Sequence, residues 1–228
     1  MKRCLALLIL LGCTALSVPA SVDPKASFVN GREHHGEALA VDFPVELFLE
    51  NRGAAAYPHA GMCVDSAIEM GALWAGLEEF RGFRDYFAQR EQGGNTRQGV
   101  DRQIKIWCEL KRIPVPAYIQ YEGDAPEPLL ELADRTGRLA CISLGYSPRY
   151  GGGPMNHMVN VAKFSGVFAV VLDNNLIGGN TRENLFEWMP PAELVSRMKV
   201  MSANGRMISS RAWVFLWAAP GPPPTPHN

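Results

Sequence analysis

The chain has 228 residues, of which 47% are hydrophobic, and a formal net charge of −1. So mild a balance argues against nucleic acid or an anionic membrane surface as the main partner. Beyond residue 20 no run approaches the roughly 20 apolar residues of a membrane-spanning helix.

Residues 1–20 open with Lys2 and Arg3, continue through an apolar run at 5–11, and end on Val18-Pro19-Ala20 before Ser21. This is the pattern of a removable export signal, so the expected location is secreted or periplasmic. Leu10-Leu11-Gly12-Cys13 also fits a lipoprotein site anchored through Cys13, as the lesser reading. Cleavage after Ala20 shifts the net charge from −1 to −3 and leaves one domain of about 200 residues. It also removes Cys4 and Cys13, leaving Cys63, Cys108 and Cys141 in a compartment that permits disulfides. Three is odd, so at least one thiol stays unpaired. The economical assignment leaves Cys63 free, with Cys108 and Cys141 either bonded to each other or buried as small apolar residues.

Residues 21–39 show no period and read as an N-terminal arm. Residues 40–50 place Val41, Phe43, Val45, Leu47 and Leu49 at alternate positions, which predicts a half-buried strand, with Pro44 assigning it to an edge. The Gly-, Ala- and Pro-rich stretch 51–62 reads as a loop. From Cys63, the apolar positions Val64, Ala67, Ile68, Ala72, Ala75 and Leu77 follow helical spacing and predict a helix to about Phe80. A polar loop with Gly93-Gly94 precedes a second helix over 96–111, ended by Pro114 and Pro116. A strand at 118–121 and a helix over 127–134, closed by Gly137, follow. The remaining half is β-rich, with short runs at 139–144, 158–164, 167–172 and 212–218 and a helix over 190–198. Helices first and an antiparallel sheet afterwards predict an α+β domain over 40–219, with a Pro-rich disordered tail at 220–228.

Two segments carry chemistry. Cys63 falls at the first turn of its helix, where positive backbone potential favours a thiolate. The stretch Gly151 to Asn175 sets His157 on one strand and Asp173 at the end of the next, with a turn at 163–166 between them. A hairpin folded about that turn brings His157 beside Asp173. A base held by an acid, facing a thiol, is the constellation of nucleophilic acyl transfer. Asn174 offers a substitute for Asp173 as orienter of the ring. Glu69 reads as solvated or paired. Trp107, Trp188, Trp213 and Trp217 read as packing, with Trp188 also a candidate roof for the site. His34-His35 point apart in an extended segment and no second Cys/His cluster has a recognised spacing, so no metal is expected, and the acyl-transfer chemistry requires no organic cofactor.

In order and setting, these residues resemble the papain-like cysteine peptidase superfamily in its compact bacterial forms. The nucleophile pattern C-G-[SA]-C-[WY] is matched at Gly61 and Cys63 but not at Ala60 and Val64. The run "HMVNVAKF", leading through a turn into "VFAVVLDNN", is similar to the bacteriocin-leader peptidase domain of ABC exporters, where a His strand returns to an Asp. The spacing of 94 residues from Cys63 to His157 also suits a compact relative. The resemblance implies helices bearing Cys63 packed on an antiparallel sheet bearing His157 and Asp173 or Asn174. It also implies a glutamine six residues before the cysteine as oxyanion donor, where this chain has Tyr57. The side-chain donor is then Asn51, His59 or Tyr57, and Asn51 is preferred because an amide can donate as glutamine does.

The expected activity is hydrolysis of an amide bond in a protein, peptide or cell-wall peptide. The alternatives are a transglutaminase-like or deamidating acyl transferase with the same residue order, and a non-catalytic binding module on the same scaffold.

Overall fold

A computed structural model describes residues 47–54, 57–91, 93–150, 154–175, 186–199, 201–203, 206–209 and 212–218. The export signal, the arm and the Pro-rich tail lie outside these residues, as do His34, His35 and most of the strand expected at 40–50. Its described end, 47–50, forms no strand. The stretch expected as a loop instead contains two short antiparallel strands, β1 (Gly53–Ala54) and β2 (Tyr57–Gly61). Glycine and alanine there gave no alternation to read.

Helix α1 (Cys63–Trp74) begins where the apolar spacing places it, and all of its residues are buried. It stops earlier than expected, because Gly76 takes a positive φ of 78° and the chain turns into a short 3-10 segment at Glu78–Phe80. A helix absent from the sequence reading, α2 (Phe83–Ala88), then starts after Gly82 at φ 90°. Helix α3 (Arg97–Lys111) follows, capped by the Thr96 hydroxyl, which accepts from the Gly99 N–H.

Strand β3 (Tyr118–Gly123), helix α4 (Glu127–Arg135), β4 (Ala140–Tyr146), β5 (Pro154–Phe164) and β6 (Ala169–Leu172) match the expected order. Next come β7 (Phe186–Met189), α5 (Pro191–Met198), β8 (Met201–Ala203), β9 (Arg206–Ser209) and β10 (Ala212–Trp217). The main sheet has six strands in the order β3-β10-β4-β5-β6-β7, antiparallel throughout. The protein is thus α+β, with helices packed on an antiparallel sheet.

Period-2 alternation explains the layers. On β10, Trp213, Phe215 and Trp217 join Phe80, Phe83, Phe87, Trp107 and the inner face of α1 in one cluster. Ala212, Val214 and Leu216 face the other way, onto Leu130 of α4 and Leu194 and Met198 of α5. Strands β4 and β5 are divided in the same manner, Cys141 and Met158 on the α1 side, Ile142 and Val159 on the other. Gly71 lets α1 come this close, since a Cβ there would stand 3.3 Å from the Cys141 sulfur and 3.4 Å from the Trp217 ring. The Trp217 indole N–H donates to the Ile68 carbonyl at 3.0 Å and locks helix to sheet. Among the described residues no helix is long and apolar enough to cross a membrane.

Candidate functional site

The site lies where the start of α1 meets the hairpin β5–β6. Met62 precedes α1 without a side-chain cap, although such positions favour Ser, Thr, Asp or Asn. Met62 thus offers no side-chain acceptor to the first backbone N–H groups of the helix, and Cys63 sits among them. In the hairpin, Asn160 pairs with Leu172. Continuing that register past the end of β6 brings Asp173 and Asn174 alongside Val159 and Met158, so His157 and Asp173 become neighbours. His157 Nε2 lies 2.9 Å from Asp173 Oδ1, with both side chains buried. Cys63 is close enough to the same imidazole to raise its pKa.

Two forces oppose each other at His157. Burial alone would favour the neutral ring, but Asp173 and Cys63, through hydrogen bonds and charge, raise its pKa from 6.5 to about 9. Burial alone would likewise raise Asp173. Its hydrogen bond to His157, the charge on that ring, and the Tyr150 hydroxyl hold its carboxyl below the usual range.

Tyr150, which the sequence reading did not single out, donates to Asp173 Oδ2, and its ring packs edge-on against His157 with centroids 6.0 Å apart. The Asn175 N–H donates to Asp173 Oδ1 at 3.0 Å. Both carboxylate oxygens are therefore directed, one toward the imidazole and one toward the phenol. The run "SPRYGGGP" has no period that would mark Tyr150.

Asn174 has a different place from the one expected. Its Nδ2 donates to the carbonyl of Cys63 at 3.2 Å and to that of Met158 at 3.1 Å. These bonds commit its amide to tying the start of α1 to β5, so the role of substitute orienter for His157 is withdrawn. The alternation of a strand turns Asn174 to the opposite face from Asp173.

Asn51 lies at the site. Its Nδ2 donates to Asn175 Oδ1 at 2.6 Å, and its backbone N–H donates to the Asn174 carbonyl at 2.6 Å. The amide rests directly on Gly61, where an added Cβ would meet Asn51 Nδ2 at 2.7 Å. A side chain at 61, two residues before Cys63, would therefore have to displace the Asn51 amide. Tyr57 and His59 fall on β2.

Other expectations change. Cys63, Cys108 and Cys141 are all free and buried, so Cys108 and Cys141 follow the second of the two readings offered for them. The Cys141 thiol contacts the Ala67 carbonyl and the Asn160 amide instead. Trp188 packs on Phe168 beside the β5–β6 turn and pairs with Val170, at the end of the hairpin away from His157, so it does not roof the site. Glu69 is buried and accepts the backbone N–H groups of Gly82 and Arg84, both at 2.7 Å, which ties α1 to the start of α2. No protein-family model matches the chain, and no curated protein matches it.

Proposed function

We propose that this chain is an exported, papain-like cysteine hydrolase that cleaves an amide bond of a protein or peptide, including cell-wall peptides. The observation that carries the reading is one imidazole held by Asp173 at 2.9 Å through Nε2, with Cys63 close enough to raise its pKa. A buried structural histidine needs no thiol partner at a helix start. A merely packed cysteine needs no imidazole oriented by a twice-bonded carboxylate.

In the proposed reaction the Cys63 thiolate attacks the carbonyl carbon, a C–S bond forms, and the carbonyl electron pair moves onto oxygen. The uncapped N–H groups at the start of α1 stabilise that oxyanion, and Asn51 Nδ2, whose second hydrogen is not used by Asn175, adds a side-chain donor. His157 gives its proton to the leaving amine as the C–N bond breaks. It then takes a proton from water, which attacks the thioester and releases the acid with Cys63 restored. Asp173 keeps the ring aligned through both transfers, and Tyr150 keeps Asp173 aligned.

Incubation with a peptide mixture, followed by mass spectrometry of products, tests the activity. New amino termini that disappear in Cys63→Ala are expected. Ammonia release or amine incorporation without backbone cleavage would instead identify the acyl-transfer alternative, and no Cys63-dependent product would remove the enzyme reading.

A further inference from the structure

Next to the start of α1 is a groove of about 530 Å³ whose lining includes Arg90, Glu91, Gly94, Asn95 and Arg102. Its floor is fastened to the segment that carries Cys63. The Gly94 N–H donates to the Gly61 carbonyl at 3.0 Å, and Asn95 Nδ2 donates to Asp65 Oδ1 at 3.4 Å and to Gln103 Oε1. Residues 61 and 65 flank the cysteine in sequence, so the groove is tied to the chain on both sides of Cys63.

The lining is unequal in charge, two guanidinium groups against one carboxylate. That carboxylate is occupied: Glu91 accepts from Arg102 Nη2 and from Gln103 Nε2, both at 2.9 Å. Arg90 is fixed from behind, stacked 3.8 Å over the Tyr86 ring with Nη1 donating to the Tyr86 carbonyl at 2.9 Å. A guanidinium held on an aromatic face loses less freedom when it binds, and its remaining N–H groups still reach an acceptor. Arg102 likewise keeps donors beyond the one given to Glu91. An anion entering here meets two oriented cations, whereas a cation would have to compete with Arg102 and Gln103 for Glu91.

We propose that this groove is a specificity subsite for a carboxylate-bearing side chain of the peptide substrate, selected by Arg90 and Arg102. The inference rests on the cysteine hydrolase reading and adds a substrate class to it: peptides with Asp or Glu near the scissile bond.

The test uses the full-length protein and tripeptidyl acyloxymethyl ketones, in matched pairs carrying Glu or Gln at each of the positions preceding the reactive carbonyl. The rate of Cys63 labelling by each probe is divided by the same protein's rate with iodoacetamide, which has no peptide to recognise. At one position Glu is expected to exceed Gln by about tenfold, the worth of one charge-assisted hydrogen bond. That ratio should fall toward one in Arg90→Gln and in Arg102→Gln, and rise in Glu91→Gln, which removes the competing carboxylate. Thermal melting of each variant identifies any that fail to fold, and Glu91→Gln serves as the reading in the opposite direction. No Glu preference at any position, or a preference that survives both arginine substitutions, would overturn the subsite while leaving the hydrolase reading intact. Failure of iodoacetamide and every ketone to label Cys63 would overturn the hydrolase reading, and the subsite with it.

Discussion

Two cysteines face the same strand and meet different chemistry. Cys141, on β4, is fully buried against β5, where its partners are the Asn160 amide and the Ala67 carbonyl, and burial pushes its thiol far up from the ordinary range. Cys63 is also buried, but it lies at an uncapped helix start beside an imidazole fixed by a carboxylate. Burial is common to both, so burial does not separate the packed thiol from the one proposed as nucleophile. What separates them is whether β5 presents an amide or a charged ring, a difference of three residues along the strand between His157 and Asn160.

The largest expected effect removes that difference. His157→Ala should slow alkylation of Cys63 at pH 7 by about 1,000-fold, the usual worth of a positioned base, and leave the slow alkylation of Cys141 as it was. Kinetics of labelling read residue by residue check this. Equal behaviour of the two thiols in wild type and variant would break the comparison.

Asn51→Ala sharpens it from the substrate side. Turnover should fall about 100-fold, as for loss of one oxyanion donor, measured as kcat on any peptide the protein cleaves. Alkylation by iodoacetamide builds no oxyanion and should fall far less, which separates a donor from a residue that only shapes the thiol's surroundings.

The smallest effects concern the carboxylate. His157 is raised in the folded protein to about 9 from 6.5, so the stabilisation it gains is complete below about pH 6.5 and is lost as pH rises through about 9. Asp173 is lowered, so its share is present above its unfolded value of 3.8 and is lost as pH falls. The stability difference between wild type and Asp173→Asn, from urea unfolding, should therefore be greatest between those limits. In Asp173→Asn the His157 midpoint, followed by NMR, should drop from about 9, because burial is then less opposed. Tyr150→Phe should lower turnover only about threefold, the scale of a weakened supporting hydrogen bond, and shift the same midpoint. An unchanged midpoint in Tyr150→Phe would assign the phenol to packing alone.

The part of this site carried by local pattern was legible. Helical spacing placed Cys63 at the start of α1, and the alternation of "HMVNVAKF" and "VFAVVL" about a turn brought His157 to Asp173. Parts depending on tertiary approach were not legible. Asn174 was read as an orienter because it follows Asp173, yet its amide serves the Cys63 and Met158 carbonyls, whose meeting exists only once α1 packs on β5. Tyr150 is supplied from a short 3-10 turn after β4 with no periodic signal. The early end of α1 was hidden because Ala72, Ala75 and Leu77 keep helical spacing across Gly76, whose φ of 78° ends the helix, and the six-residue α2 is too short to show a period of its own.

The claim that Cys63 is the reactive thiol is tested most directly by limited labelling of the native protein with iodoacetamide at pH 7, followed by mass mapping of Cys63, Cys108 and Cys141. The account predicts that Cys63 is labelled first, about 100-fold or more ahead of the other two, as thiolate character and access dictate. Slow labelling at equal rates of all three, or labelling led by Cys108, would contradict it.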